Sequence, residues 1–292
     1  MFRLLTTIAL GWLVAAAPAH QPTGNAPPGS SNPAGGNPGH VTPRTGRPGD
    51  PQPEVAPPAP PPPPAAVPVP DGPVVRRVEL EGGLILEDLV IGEGYEVKSG
   101  GAVVAHYHGT RKADGFVFDS SFDRGQTAAF PLSGVIAGWQ KGVPGMKIGG
   151  VRRLIIPAAM GYGARGAGAN IPPNTDLVFV IKLVDAIKIE DVEVGTGEEA
   201  TANCVPVTTY TIKDTEGKVL EAVEGTPYVW LPGEYQGIQF GVPGMKVGGT
   251  RRIVVPAQFN VWAQPLAEGH VQNVPVTLEV KLVAVRNLPQ GR

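Results

Sequence analysis

Aromatic and polar side chains are spread along the chain between Ala105 and Val180 in an order that an ordinary hydrophobic core does not require. They fall in five segments, which are AHYHG at 105–109, GFVFDSSFDRG at 115–125, VIAGWQKGVPGMKIGG at 135–150, GYGARG at 161–166 and IPPNTDLVFV at 171–180. Taken singly, Tyr107, Trp139 and Phe179 fit ordinary core positions. Three kinds of chemistry are compatible with parts of this set: metal binding, phosphate binding and the enclosure of an apolar group.

Metal binding and phosphate binding are the weaker interpretations. His106 and His108 share one face of a predicted strand, as two metal ligands would, but Tyr107 points to the other face and no third ligand is evident. We therefore expect a solvated face there. The glycines of GYGARGAG resemble a phosphate loop, yet the required lysine and serine or threonine do not follow them. The sequence predicts neither a metal ion nor a cofactor.

The elements that would position these residues can be predicted from local periodicity. The apolar and polar faces alternate over residues 103–108, which is typical of a strand. The apolar stretch from Leu177 to Val184 suits a central strand that is covered on both sides. Val135, Ile136 and Trp139 have the spacing of one helical face, and a glycine and a proline follow to end the helix. The prediction is one short helix in a sheet-rich domain.

Together these segments resemble the apolar prolyl pocket of FKBP-type peptidyl-prolyl cis-trans isomerases. The resemblance extends over about residues 77–187 and depends on the order and spacing of five separated segments. It implies an α+β fold in which a twisted antiparallel sheet wraps around one short helix, with the substrate proline between helix and sheet. It also implies an enzyme that accelerates rotation about X-Pro bonds without a nucleophile, a metal ion or a cofactor.

The resemblance also implies roles for individual residues. Trp139 forms the floor beneath the proline ring, Tyr162 donates its hydroxyl proton to a substrate carbonyl, and the Ile136 N–H holds the next carbonyl. Asp119 pairs with Arg124 and places a charge near the rotating amide. The expected catalytic residues are Asp119, Tyr162 and Tyr107. The expected substrate-binding residues are Phe118, Arg124, Val135, Ile136, Trp139, Ile171 and Phe179.

Two details of this pocket stay open. Strict strand alternation sets Phe118 and Asp119 on opposite faces, so both reach the pocket only if the strand bulges or ends there; otherwise Asp119 is a turn or surface carboxylate. Ala128 stands where the family often has an aromatic wall residue, and the loop between Leu132 and Val135 is two residues shorter than usual. These departures predict a wider pocket and weaker binding of the family's macrolide inhibitors.

An internal repeat predicts a second unit. GVPGMKIGGVRRLIIPA at 142–158 matches GVPGMKVGGTRRIVVPA at 241–257, with a shift of 99 residues. In the second copy the pocket positions are mostly not aromatic, and they are occupied by Tyr210, Leu220, Glu221, Ile238, Val261 and Leu278. We therefore expect two tandem FKBP-like units. The second is predicted to be a degenerate, non-catalytic copy that binds partner chains or completes the structure.

The first quarter of the chain differs from the rest. Arg3, an apolar run from Leu4 to Ala17 and an Ala-Pro-Ala triplet are typical of a cleaved secretory signal, although retention as a membrane anchor is an alternative. Residues 20–73 contain 19 prolines and five charged residues, which predicts a disordered linker or a ligand for a proline-binding groove. The expected organisation is a signal peptide at 1–19, a Pro/Gly-rich linker at 20–73, an isomerase domain at 74–187, a degenerate FKBP-like domain at 188–286 and a tail at 287–292.

Location and partners follow from these features. The mature chain is expected to be secreted or periplasmic, in a bacterial cell envelope, without an integral membrane span. A net charge of −2 provides no basic stripe for nucleic acid. The expected partners are proline-containing unfolded or nascent exported polypeptides and, by resemblance, macrolide inhibitors. Cys204 is the only cysteine, and its apolar neighbours favour a buried structural thiol. A non-catalytic chaperone that binds polypeptides is the alternative function.

Overall fold

Two antiparallel sheets follow each other along the chain. The structure is a computed structural model, and it describes residues 64–262 and 272–288. The predicted signal peptide, most of the predicted linker and the last four residues lie outside the described residues. The chain passes from the first sheet to the second at Ile187. We call residues 74–187 the first unit and residues 188–286 the second unit.

The first unit contains a seven-stranded sheet and one α-helix. Its elements are β1 (Arg76–Leu80), β2 (Leu84–Val90), β3 (Ala102–Arg111), β4 (Val117–Ser120), β5 (Ala128–Pro131), α1 (Ala137–Gly142), β6 (Val151–Ile156) and β7 (Leu177–Ala186). Single 3₁₀ turns lie at Leu132–Gly134, Ala158–Met160 and Gly163–Arg165. The strand order is β1-β2-β6-β7-β3-β4, with β5 also paired to β3. The predicted short helix is confirmed, and the apolar strand β7 is central as expected.

The second unit repeats this plan with five strands. Its elements are β8 (Lys188–Glu193), β9 (Cys204–Lys213), β10 (Val219–Val229), α2 (Gln236–Gly241), β11 (Thr250–Val255) and β12 (Val276–Asn287), with a 3₁₀ turn at Ala257–Phe259. The strand order is β10-β9-β12-β11-β8. The predicted α+β architecture of two tandem units is confirmed. None of the helices in the described residues has the length and apolar character that a membrane crossing requires.

Each helix packs closely on its sheet because a glycine faces the strand below it. A Cβ added to Gly142 on α1 would lie 2.8 Å from the Leu154 side chain, and one added to Gly241 on α2 would lie 2.5 Å from Ile253. Both positions therefore exclude larger residues. The same packing buries Trp139, which points from α1 into the first core.

The two units are in direct contact. Ala102 and Val104 on β3 belong to the apolar cluster that forms the core of the second unit, together with Ile187 at the joint. The Ile189 N–H also donates to the Tyr95 hydroxyl at 3.3 Å. Cys204, at the start of β9, is half-buried rather than fully enclosed, and burial raises the pKa of its thiol.

Residues 64–73, which we call the strap, run along the back of the first sheet, although their composition predicts a linker. The Val67 N–H donates to the Phe122 carbonyl at 2.8 Å, and Val69 packs on a small apolar cluster formed by β2, β6 and β7. Near the start of the strap, the Ala65 carbonyl oxygen would lie only 2.1 Å from a Cβ added to Gly125. The strap therefore shields apolar surface that the sheet would otherwise expose.

The histidine face of β3 is less exposed than expected. His106 stacks on Phe122 with 4.8 Å between ring centroids, and its Nδ1 lies 3.3 Å from the Ser121 hydroxyl. Burial, and then the charge of Lys182, lowers the pKa of His106. His106 and His108 are both half-buried, so the expected solvated face is found only in part. The reason is that Phe122 folds back over this side of the strand.

A buried arginine ties the helix end to the sheet in each unit. The Arg152 guanidinium on β6 donates to Asp88 Oδ1 at 2.6 Å and to the Gly142 carbonyl at 2.7 Å. On β11, Arg251 donates to Asp191 Oδ1 at 2.6 Å and to the equivalent helix-end carbonyl at 2.8 Å. In each unit, one of the two adjacent arginines of the repeat therefore has a structural role. Its guanidinium donates a hydrogen bond to a carbonyl at the end of the helix, which has no partner within the helix.

We expect acid to destabilise the first unit through Asp88. Burial alone raises the pKa of this carboxyl group, but hydrogen bonds from Arg152 and Arg76 outweigh burial and hold the pKa below its ordinary value. The folded state therefore binds fewer protons than the unfolded state, so this stabilisation is complete above about pH 4 and is lost as the pH falls through the folded-state pKa. In urea titrations from about pH 6 to about pH 2, the free energy of unfolding should fall more steeply for the wild type than for Asp88→Asn. Equal slopes would contradict this assignment.

Candidate active site

Trp139 lies at the bottom of a group of aromatic rings between helix and sheet. Its ring centroid is 6.0 Å from Tyr107, 5.0 Å from Phe130 and 5.4 Å from Phe179. Phe118 extends the group through an edge-to-face contact with Phe179 at 5.5 Å. Such edge-to-face pairs stabilise one another beyond the area they bury. The result is a continuous aromatic wall against α1.

A register shift lets neighbouring residues of β4 reach the same site. Gly109 pairs with Asp119 and Thr110 pairs with Val117, so Phe118 is the extra residue between two pairings. A Cβ on Gly109 would lie 2.6 Å from the Phe118 ring, so glycine leaves the space that the ring occupies. The bulge that Phe118 and Asp119 require is therefore present.

A cluster of three polar groups lies at the edge of the aromatic wall. The Tyr107 hydroxyl donates to Asp119 Oδ2 at 2.5 Å, and Arg124 donates to Asp119 Oδ1 at 2.6 Å and to the Tyr107 hydroxyl oxygen at 2.8 Å. Burial, and then the hydrogen bond to Asp119, raises the pKa of Tyr107 to about 12. The hydroxyl therefore keeps its proton at neutral pH. The cluster holds a carboxylate in a fixed orientation beside an apolar site.

Tyr162 and Ile171 belong to the glycine-rich segment after β6. Burial, and then the charge of Asp119, raises the pKa of Tyr162, so its hydroxyl stays protonated and lies within electrostatic reach of the polar cluster. Ile171 is buried, and it forms two backbone hydrogen bonds with Ala167, at 2.8 and 3.3 Å. This bridge shapes the segment into a closed loop beside the aromatic rings.

Val135 and Ile136 form the rim immediately before α1. Both are half-buried against the aromatic cluster. The Gln140 amide donates to the Val135 carbonyl at 2.7 Å, which fixes the backbone of the rim. Ile136 is the N-cap residue, where the N–H lies outside the helical hydrogen-bond ladder. The apolar members of the predicted set thus meet in one cluster, with Asp119, Arg124 and Tyr162 at its polar edge.

Two residues at the site were not predicted from the sequence. Phe130 on β5 makes an edge contact with Tyr107 at 5.3 Å, and it supplies the aromatic side chain that Ala128 does not. Since these two residues lie two positions apart on one strand, strand alternation is the signal that could have identified Phe130. The buried Ser121 hydroxyl accepts the Tyr107 N–H at 2.7 Å and so anchors the strand that carries the tyrosine.

The second unit builds an aromatic cluster from different positions. Trp230 is buried among Tyr210 at 5.0 Å, Tyr228 at 4.7 Å and Trp262 at 5.6 Å. Tyr210 donates to Glu221 at 2.7 Å, which repeats the tyrosine–carboxylate pair of the first unit. In the second unit, Ile238 and Leu278 stand at the positions that correspond to Trp139 and Phe179. Rings from other positions fill the space between helix and sheet there.

The fold and the site define a protein with an aromatic cluster between a short helix and an antiparallel sheet, and with a tyrosine, a carboxylate and an arginine bonded together at the edge of that cluster. A family model for FKBP-type peptidyl-prolyl cis-trans isomerases matches residues 94–184. A probable FK506-binding protein of Corynebacterium glutamicum is 52% identical over 103 residues, which cover 35% of this chain and 86% of that relative. An FK506-binding protein of Neisseria meningitidis is 49% identical over 105 residues, which cover 35% of this chain and 95% of that relative.

One solved structure extends the comparison. A crystal structure of a peptidyl-prolyl cis-trans isomerase from Pseudomonas syringae matches with 38% identity and a TM-score of 0.35, covering 38% of this chain and 80% of that one. The two sequence relatives share their identity with this chain over most of their own length. The chain belongs to the FKBP family, and it is an enzyme of the peptidyl-prolyl cis-trans isomerase type.

Proposed function

We propose that the first unit isomerises X-Pro bonds in exported polypeptide chains by binding the twisted amide in the aromatic site around Trp139. The observation that carries this proposal is the combination of Trp139, the three rings around it and a fixed carboxylate at the edge. X-Pro isomerisation takes tens to hundreds of seconds without a catalyst and limits the folding of many chains. An exported chain that folds after translocation meets this delay.

The proposed catalysis is differential binding of two amide geometries. The planar amide is stabilised by resonance, and rotation costs about 18–20 kcal/mol. At the top of the barrier the carbonyl dipole is smaller and the nitrogen is no longer conjugated. An apolar site that excludes water disfavours the planar, more polar form relative to the twisted form. The rings around Trp139 have the composition that such a site requires.

The polar groups in this proposal hold the substrate rather than attack it. Tyr162 donates its hydroxyl proton to a substrate carbonyl, and its raised pKa supports this because the donor stays protonated. The Ile136 N–H binds the next carbonyl. Asp119, held by Tyr107 and Arg124, orients the edge of the site and places negative charge near the rotating amide. Val135 and Ile171 border the proline ring.

A matched pair of tyrosine variants tests which unit is catalytic. Tyr107→Phe removes the hydroxyl bonded to Asp119, and Tyr210→Phe removes the hydroxyl bonded to Glu221. We expect the first change to lower kcat/KM for a short X-Pro peptide by roughly 2- to 10-fold, as the loss of one hydrogen bond implies. We expect the second change to leave the rate unaltered. A loss confined to Tyr210→Phe would place catalysis in the second unit.

The exported location and the ligands are further parts of the proposal. The N-terminal pattern supports a cleaved signal, and N-terminal sequencing of the protein from the cell envelope should find a start near His20. Relatives named FK506-binding proteins support the macrolide FK506 as an inhibitor that occupies the first-unit site. Inhibition of peptide isomerisation by FK506 measures this, and an unaffected rate at saturating inhibitor would contradict it.

A polypeptide-binding chaperone is the second candidate function. A cavity of about 160 Å³ in the second unit favours it, and its lining includes Trp230, Leu231 and Pro232. In this alternative both units hold unfolded segments and turnover is incidental. Suppression of aggregation that persists in a Trp139→Leu, Tyr162→Phe variant lacking isomerase activity would favour the chaperone function. If this variant loses suppression of aggregation together with isomerase activity, the result would favour the isomerase function without a separate chaperone function.

A further inference from the structure

The outer strand of the second sheet lacks the neighbour that its counterpart in the first unit has. Within residues 64–262 and 272–288, β8 pairs only with β11, whereas β2 pairs with both β6 and β1. The registers correspond: Glu87 and Asp88 on β2 face two arginines of β6, and Glu190 and Asp191 on β8 face two arginines of β11. β8 is therefore an open edge in the position that β1 covers in the first unit.

The first unit shows what this position binds. Arg152 occupies Oδ1 of Asp88, and Arg76 from β1 occupies Oδ2 at 2.7 Å. Likewise Arg153 takes one oxygen of Glu87 at 3.1 Å, and Arg77 from β1 takes the other at 2.6 Å. Two adjacent arginines on an added strand thus complete both carboxylates. The carboxylates are only 7% exposed as a result.

In the second unit, the described residues supply these two carboxylates with the arginines of β11 but with no arginines from an added strand. Arg251 binds Asp191 Oδ1 at 2.6 Å, and Arg252 binds one oxygen of Glu190 at 2.8 Å. The remaining oxygen of each carboxylate has no partner among the residues that the structure describes. Asp191 is 46% exposed and Glu190 is 66% exposed. Each carboxylate therefore presents a free oxygen beside unpaired strand backbone.

An apolar contact is missing at the same place. Leu89 on β2 is 7% exposed, and it lies in a cluster with Val151, Val180 and Val69 of the strap. Its counterpart on β8, Val192, is 56% exposed. The strap that packs against this leucine leads directly into β1, which carries the two arginines. The second unit thus lacks both the ionic and the apolar cover.

We propose that β8 binds an extended segment of a partner polypeptide that carries two adjacent basic residues, added antiparallel as β1 is added to β2. Backbone hydrogen bonds to the open edge provide the affinity, and the free oxygens of Asp191 and Glu190 select the basic pair. In the first unit, the Val75 N–H donates to the Asp88 carbonyl at 2.8 Å, which illustrates the backbone contact. The β1 strand of a second copy is a poor candidate because a short turn at 81–83 holds it on β2. This proposal does not depend on the isomerase mechanism.

The test uses a fluorescent peptide with the sequence of residues 74–81, VVRRVELE, titrated with the full chain and followed by anisotropy. We expect saturable binding that weakens as salt is raised. The double variant Glu190→Gln, Asp191→Asn should weaken binding by about tenfold. The matched control Glu216→Gln, Glu224→Gln removes the same charge from exposed positions elsewhere and should bind like the wild type. A peptide with both arginines changed to glutamine should also bind about tenfold more weakly.

Backbone addition is tested separately from charge. Two peptides that are N-methylated at alternate residues each keep both arginines, but only one keeps the N–H groups on the side that faces β8. We expect one of them to bind and the other to fail. Equal binding by both peptides, or wild-type affinity in the Glu190→Gln, Asp191→Asn variant, would overturn the proposal. Sedimentation velocity completes the test, because self-association that this variant abolishes would identify a second copy as the occupant instead.

Discussion

Replacing Asp119 by alanine should lower kcat/KM for X-Pro isomerisation by roughly 10- to 100-fold. The carboxylate accepts hydrogen bonds from Tyr107 at 2.5 Å and from Arg124 at 2.6 Å, and hydrogen bonds to a charged group are worth about 1.5–3 kcal/mol each. Its loss frees Tyr107 and Arg124 and removes the negative charge from the edge of the site. A peptide assay of cis-to-trans conversion measures the effect directly.

Controls separate this effect from unfolding. Asp123→Ala removes the same charge from an exposed position in the turn after β4 and should leave the rate unchanged. Asp119→Asn keeps the shape of the side chain but not its charge, so its rate distinguishes electrostatics from positioning. Asp119 is itself 43% exposed, so water partly replaces these hydrogen bonds and the free energy of unfolding should fall by less than their full worth. An Asp119→Ala protein that is stable and fully active would exclude a role for the carboxylate.

Replacing Arg152 by methionine should destabilise the first unit by about 3–5 kcal/mol, as expected when one partner of a buried ion pair is removed. The change leaves the Gly142 carbonyl without its donor and leaves Asp88 with Arg76 alone. Urea unfolding followed by the fluorescence of Trp139 reports on this unit. The size of the effect depends on burial, because Asp88 is only 7% exposed and water cannot replace the lost contacts.

The repeat provides the matched control. Arg251→Met removes the same type of contacts in the second unit, but Asp191 is 46% exposed and water can solvate it. We therefore expect a smaller loss of about 1–3 kcal/mol, observed through Trp230 and Trp262. Equal losses in the two variants would show that carboxylate burial does not determine the cost. A loss below about 1 kcal/mol in Arg152→Met would show that the pair is dispensable.

Much of the first-unit site could be predicted from the sequence because the relevant signals are local. The order of Tyr107, Trp139 and Phe179 along the chain, and the short helix before a Gly-Val-Pro-Gly turn, do not depend on distant contacts. The bulge at Phe118 could be stated only as a requirement, since it arises from pairing between β3 and β4. Phe130 escaped prediction because its contact with Trp139 depends on the register of β5 against β3.

The strap, the second aromatic cluster and the open edge were decided by tertiary structure. Composition predicts a linker for residues 64–73, yet they are held by one sheet face whose apolar side chains need cover. In the second unit Ile238 stands at the position of Trp139, which predicts a pocket without that ring, whereas Trp230, just after β10, supplies a ring from a different position.

The sequence by itself determined the family, the α+β class and the repeated arginines, because period, order and motif are properties of neighbouring residues. Only the folded chain shows that β1 supplies a second arginine to Asp88, whereas one oxygen of Asp191 has no partner among the described residues. That difference depends on which strands lie side by side. Pairing between strands that are far apart in the sequence cannot be predicted from the local pattern of residues.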